Sequence, residues 1–279
     1  MGRRTLGYVI LTLSVTGVVV IAWTTVGRLA LPSLWGAEAA KQGPSFGEDE
    51  KEVVQLLLES HTTWETLSGQ ATIAWHREGA TQEWTETFAI QQPYKVSLEL
   101  EGLKEYDGLF RVWMSNGETI YEADERRLYT ESPMPAFALD LESYQLPQTP
   151  DDIDADTVYR HPMAMLMPTP LADYIFPVAL AQSGGRFQRE GEERIGDRQT
   201  WLVDWTREDT GDLQRLWIDT RTGVILKALI YSSEEPDELF GEVLLGDVVF
   251  DSLITEGTFE WTPEADWKYV DVAEFHNSP

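Results

Sequence analysis

The segment HPMAMLMPTP, residues 161–170, carries the most distinctive chemistry in the chain, because His161 is followed by Met163, Met165 and Met167 at alternate positions. In an extended segment these four side chains would project to one side. An imidazole and three thioethers are soft ligands that suit Cu(I). Methionine also fills irregular apolar pockets, and the apolar run PLADYIFPVALA overlaps the end of this segment. We therefore expect the methionines to line a pocket, with copper binding through the methionine cluster as the alternative.

Other patterns that could bind metals or catalyse reactions are weaker. Asp152, Asp154 and Asp156 occupy the first three ligand positions of a calcium loop, but Thr157 stands where that loop needs glycine and Met163 where it needs a bidentate glutamate. The four histidines are scattered, and the short motifs of zinc proteases, serine hydrolases and nucleotide-binding loops are missing. The sequence therefore predicts no catalytic residues, no metal site, no cofactor and no enzymatic activity.

Composition limits the compartment and the partners. The chain has no cysteine, which excludes disulfides and thiolate ligands, and its formal net charge of -27 disfavours nucleic acid as a partner. Residues 5–27 form an uncharged, apolar run long enough to cross a bilayer. Arg3 and Arg4 precede this run, which places residues 1–4 in the cytoplasm. We expect a single-pass signal-anchor in a bacterial cell membrane and a periplasmic or extracellular domain; cleavage near residues 37–39 is the alternative.

The spacing of apolar residues predicts the elements that follow the anchor. Residues 28–47 are rich in Pro, Gly and Ala, as expected of a linker, and one amphipathic helix follows, with Ser45 and Glu48 as its capping box. Alternating apolar residues then predict antiparallel strands, with a hairpin at Asn116–Gly117. Residues 131–186 interrupt the strands with eight prolines and four methionines, which is typical of a lid or binding loop.

The order of these segments resembles the LolA/LolB-like superfamily, which includes lipoprotein carriers, outer-membrane lipoprotein-sorting-like proteins and the sensing domain of sigma-E regulators. The resemblance rests on the leading helix, the proline-broken middle and four segments, which are LSGQATIAW, QPYKVSLEL, VWMSNGETIYEADERRLY and RLWIDTRTGVILKALIY. It implies a mainly β fold with α over residues 48–279: an incomplete antiparallel β-barrel with helices covering its concave face. Ser97 departs from the pattern, because carriers typically have an arginine after the basic residue of this strand.

The resemblance also implies that the concave cavity holds acyl chains. We therefore expect a membrane-anchored extracytoplasmic domain that binds acyl chains, lipids or lipidated proteins. The alternative is an envelope regulatory or protein-interaction module without a lipid ligand. Strand polarity and the composition of the lid select the residues expected to line the cavity, which are Trp84, Phe88, Ile90, Tyr94, Val96, Leu98, Phe110, Val112, Met114, Met163, Met165, Met167, Ile175 and Phe176.

Overall fold

The computed structural model describes residues 46–77, 80–139, 144–154, 156–208, 210–233 and 238–277. The predicted anchor at residues 5–27 and the predicted cytoplasmic residues 1–4 lie outside these ranges, as does nearly all of the predicted linker. Among the helices within these ranges, none is both long and apolar enough to span a membrane.

Helices make up a small part of the described chain, and only the first of them is longer than six residues. They are α1 (Glu48–Glu59), α2 (Ala136–Leu139), α3 (Pro162–Leu166), α4 (Leu171–Ile175), α5 (Val178–Gln182) and α6 (Val272–Asn277). Short 3₁₀ turns lie at Ser60–Thr62, Lys104–Tyr106, Pro150–Asp152 and Glu256–Phe259.

Helix α1 is the amphipathic helix that the sequence predicts, with a different cap. The predicted capping residue Ser45 lies outside the described ranges, and the helix begins after Gly47, whose backbone N–H donates a hydrogen bond of 3.2 Å to the Glu50 carboxylate. The acidic first turn also complements the positive end of the helix dipole. The apolar stripe of α1 is buried and consists of Val53, Val54, Leu57 and Leu58.

Twelve strands of the described chain form one sheet. They are β1 (Thr66–Arg77), β2 (Ala80–Gln91), β3 (Lys95–Gly102), β4 (Phe110–Asn116), β5 (Thr119–Asp124), β6 (Leu128–Pro133), β7 (Gly185–Ile195), β8 (Arg198–Arg207), β9 (Leu213–Asp219), β10 (Ile225–Tyr231), β11 (Leu239–Phe250) and β12 (Lys268–Tyr269). Their order is β12-β6-β5-β4-β3-β2-β1-β11-β10-β9-β8-β7. Every neighbouring pair is antiparallel except β12 with β6.

The strand order explains why the middle of the chain covers the sheet. Strands β1 to β6 form one meander and β7 to β11 form another, and the two meanders meet where β1 pairs with β11. Strands β6 and β7 therefore lie near opposite edges of the sheet, on opposite sides of that seam, although they are consecutive in the chain. The connection between them, residues 134–184, crosses one face of the sheet and buries its apolar side chains there.

Turns and bulges shape the sheet into an open, curved form. The predicted hairpin at Asn116–Gly117 is confirmed: it joins β4 to β5, Gly117 has a φ of +96°, and the Asn116 side chain accepts hydrogen bonds from Glu118 and Thr119 N–H groups, both at 2.9 Å. Register shifts in β1 and in β7, between Arg189 and Gly191, add twist. The described strands therefore form an open, curved, mainly antiparallel sheet with few helices, which is consistent with the fold that the LolA/LolB-like resemblance implies.

A buried ion pair holds the second meander together. Asp219, 1% exposed at the end of β9, accepts hydrogen bonds from Arg198 on β8 and from Thr222 N–H at 2.9 Å in the turn to β10. Burial alone would raise the pKa of the Asp219 carboxyl, but these hydrogen bonds and the Arg198 charge lower it. The carboxylate therefore joins three consecutive strands.

Replacing Asp219 should destabilise the fold more than replacing an exposed acid nearby. Asp219→Ala leaves the Arg198 guanidinium without its partner, and we expect a loss of about 3–5 kcal/mol in the free energy of unfolding, measured by chemical denaturation. Asp197→Ala, in the exposed β7–β8 turn, should change it by less than about 0.5 kcal/mol. Equal effects of the two changes would contradict the role assigned to Asp219.

Candidate functional site

The concave face carries a continuous apolar row along the middle strands. Phe88 and Ile90 on β2 pair directly with Leu98 and Val96 on β3, and all four side chains are at most 2% exposed. Tyr94, in the turn between these strands, is half-buried and donates a hydrogen bond of 3.0 Å to the Leu139 carbonyl. These residues lie on the face that strand polarity predicts.

Three predicted cavity residues lie on the opposite face of the sheet, which corrects the expectation. Register places Leu98 opposite Trp113 on β4, so Trp113 shares the concave face, while Val112 and Met114 alternate to the convex face. Phe110 points the same way. These convex residues form a separate cluster with the C-terminal segment, which contributes Trp261 and Trp267. Phe110, Val112 and Met114 therefore line no concave cavity.

The methionines lie on and next to a short helix, not in the extended row that the alternative of a shared copper site would need. Residues 162–166 form helix α3, so Met163 and Met167 share the buried side and are 1% and 3% exposed. Met165 projects elsewhere, is half-buried, and its sulfur lies 3.7 Å from the Tyr144 hydroxyl. The side-by-side thioether site for copper is therefore not formed, and the described residues contain no cluster of three or more His, Asp or Glu arranged to hold a metal.

Residues 162–182, here called the plug, cover the concave face. The plug consists of helices α3, α4 and α5, each five residues long, with Pro168, Pro170 and Pro177 between or before them. Ile175 and Phe176, which were predicted to contact the ligand, are fully buried in the core. These two side chains belong to the same core cluster as the apolar row on β2 and β3.

His161 fixes the start of the plug. Its Nδ1 accepts a hydrogen bond of 3.2 Å from the Met163 N–H and so caps α3, while its ring stacks on Phe176 with centroids 4.3 Å apart. The ring of His61, which follows α1, lies 5.5 Å from that of His161. Burial lowers the pKa of His161 to about 3, and the neighbouring His61 charge contributes to the same shift. Burial also lowers the pKa of His61, so both rings are neutral at pH 7.

Half-buried aromatic rings surround one end of the concave face, where β1 ends and β2 begins. The Trp75 ring lies 5.7 Å from that of Phe240, and the Trp84 ring lies 5.7 Å from that of Tyr106. We call these four residues the rim. Gly241 is required here, because a Cβ atom at this position would lie 2.4 Å from the Trp75 ring. Trp84 therefore lies half-buried at one end of the concave face rather than in its buried middle.

One buried acid lies just below the rim. Glu86 is 3% exposed, and it pairs with Ala71 on one side and Leu100 on the other, so its surroundings on the sheet are apolar. Burial raises the pKa of its carboxyl to about 8. Sequence reasoning missed Glu86, although it lies between Trp84 and Phe88 on the same face of an alternating strand.

At the opposite end of the barrel lies an open groove of about 620 Å³, within the size range of ligand sites. It is lined by Thr62, Thr63, Trp64, Glu65, Thr66, Gln91, Asp251, Ser252, Leu253 and Ile254. Trp64 forms the contact between groove and plug, because its ring lies 5.5 Å from that of Phe176. Leu253, 95% exposed, lies at its edge.

No protein-family model matches the sequence, and no curated protein matches it. Solved structures with a similar arrangement include MucB (TM-score 0.44, 15% identity), which matches over 77% of this chain and 64% of that one. An uncharacterized conserved protein from Thermus thermophilus (0.43, 13%) matches over 78% and 97%, and a LolA superfamily protein from Nitrosomonas europaea (0.28, 10%) over 76% and 97%. At these TM-scores the likeness carries no functional conclusion.

Acid should loosen the plug through His161. A free imidazole has a pKa of about 6.5, and the pKa of the packed His161 ring is about 3. The packed plug therefore binds fewer protons than the released plug. The stability that this ring contributes is complete above pH 6.5 and declines as the pH falls towards 3. At pH 5 the loss from this ring is about 2 kcal/mol. Chemical denaturation at pH 7.5 and 5 should give a smaller loss in His161→Asn, which keeps an acceptor for the Met163 N–H but does not titrate. The same loss in both proteins would refute this role.

Proposed function

We propose that this chain is a non-enzymatic binding domain that takes up an acyl chain of a lipid or lipidated protein on its concave face when the plug withdraws. The observation that carries the proposal is the nature of the cover: an apolar face spanning many strands is closed by three five-residue helices separated by prolines. The function of the domain would then be capture rather than chemistry.

The plug is suited to reversible packing. Helices of five residues have no stability of their own in water, so the plug is held by its contacts with the sheet. Its buried methionines, Met163 and Met167, have flexible side chains that can adapt to a changed neighbour. A bound chain would take the place of the plug on the sheet, and each methylene that it buries would contribute about 0.8 kcal/mol to binding. The exchange therefore need not leave the concave face exposed to water.

The dimensions of the concave face also suit a chain. From Trp84 at the rim, the side chains of Glu86, Phe88 and Ile90 follow at every second position on one face of β2. At about 3.3 Å per residue this row is about 20 Å long. Half-buried rings at one end and fully buried apolar residues at the other would orient a chain with its polar end at the rim.

The predicted anchor supplies the cellular setting of the proposal. A helix at residues 5–27 with a cytoplasmic N-terminus would hold the domain on the extracytoplasmic side of the membrane, within reach of acyl chains in the envelope. A domain fixed in this way suits local capture or sensing better than diffusion between membranes.

An envelope interaction module without a lipid ligand is the second candidate. It is favoured by the complete burial of Ile175 and Phe176, which fill the concave face in this structure. If the plug never withdraws, the full chain will bind no fluorescent 16-carbon fatty acid at neutral pH. Binding of the fluorescent fatty acid, with its displacement by unlabelled fatty acid, would support the acyl-chain binding domain.

A matched pair of neighbouring variants tests where the chain binds. Leu100 is half-buried on the concave face below the rim, and Glu99, the preceding residue, is exposed on the convex face. We expect Leu100→Ser to weaken binding of the fluorescent fatty acid by about tenfold, because apolar contact is lost. Glu99→Ser should leave the Kd within about twofold of wild type. Similar Kd values for the two variants would place the ligand elsewhere.

A further inference from the structure

The buried carboxyl groups of this protein differ in whether an arginine is paired with them. Among the described residues three acids are buried, and two of them have an arginine partner: Asp124 accepts a hydrogen bond of 2.9 Å from Arg126, and Asp219 pairs with Arg198. Glu86 is the third. No described residue forms a hydrogen bond or ion pair with it, and burial raises the pKa of its carboxyl.

The surroundings of Glu86 leave its carboxyl neutral. Ala71 and Leu100 flank it on the neighbouring strands, and Trp84 and Phe88 flank it along its own strand. Arg111, the next basic residue in the same row, is separated from it by Leu100. With a pKa of about 8, Glu86 is mainly protonated at pH 7 and offers one O–H donor. Glu86 is 3% exposed, so this donor is largely buried and can form a hydrogen bond with a ligand that reaches it.

We propose that the Glu86 carboxyl group donates a hydrogen bond to the carbonyl oxygen that joins a bound acyl chain to its carrier, an inference that rests on the proposed function. Glu86 lies one residue pair below the rim, about 7 Å along the strand from Trp84. A carbonyl placed there would leave the carrier group at the mouth, while the hydrocarbon continues inward past Phe88. Glu86 would thereby select acylated molecules over plain hydrocarbons.

Competition against the fluorescent fatty acid tests this selectivity in the full chain. The competing probes have similar chain lengths: methyl dodecanoate, N-methyldodecanamide, tetradecane and dodecylamine. For wild type at pH 7 we expect the ester and the amide to bind about threefold to tenfold more tightly than the alkane. This is the difference in Kd that one additional hydrogen bond produces. Glu86→Leu should bind the ester, the amide and the alkane equally. It should remain folded, because leucine suits the apolar surroundings.

Two further variants separate hydrogen bonding from packing. Glu86→Gln keeps a donor of the same shape and should keep the ester preference. At pH 9.5 the wild type should lose that preference, because the ionised carboxylate donates no hydrogen bond, and the glutamine variant should retain it. Thr87→Val, at the next position and on the exposed convex face, should behave as wild type throughout.

The possible failures are distinguishable. If wild type binds neither the fatty acid nor any probe, the proposed function fails and this inference fails with it. If wild type binds and Glu86→Leu keeps the ester preference, only the role of Glu86 is refuted. A preference of wild type for dodecylamine that Glu86→Gln abolishes would also refute it, because Glu86 would then be a counterion for an ammonium group.

Discussion

The structure depends on burial of one apolar sheet face by the connection between β6 and β7. These strands lie near opposite edges of the sheet, and the connection crosses the concave face and packs in the same core as its side chains. That crossing supplies the cover that an open sheet of this kind needs, since apolar side chains from many strands would otherwise face water. The plug is thus a consequence of topology as well as a candidate functional element.

The two long elements on the concave side differ in how they are held. Helix α1 has twelve residues, an acidic first turn and an apolar stripe that packs on the sheet, so much of its structure is encoded locally. The plug has no comparable local signal, because its three helices are interrupted by prolines. Its order comes from tertiary contacts such as the stack of His161 on Phe176. A segment held in this way can withdraw without unfolding the sheet.

Much of the architecture could be predicted from the sequence. Alternating residues in β2 and β3 and the Asn116–Gly117 turn identified the meander, because period and turn chemistry are local properties. Pairing register is not local, so the predictions for Phe110, Val112 and Met114 selected the wrong face of β4. The helix over the methionines was not predicted, because Pro162 and the His161 cap start a helix that composition does not reveal.

The buried residues of the concave face were predicted in part. Phe88, Ile90, Val96 and Leu98 were identified because they are apolar and alternate with polar neighbours. Glu86 obeys the same alternation and was passed over, because polar residues are ordinarily assigned to the wet face. A polar residue in phase with an apolar row is therefore worth treating as a candidate for function in strands of this kind.

Hydrogen exchange measured with and without a bound acyl ligand tests the central claim most directly, because plug and ligand are held to compete for one face. The account predicts that saturation with a 16-carbon acyl ligand increases amide exchange in residues 162–182, while amides of β2 and β3 exchange no faster. Unchanged or slower exchange in residues 162–182 with ligand bound would contradict it, because the ligand would then occupy a site that leaves the plug in place.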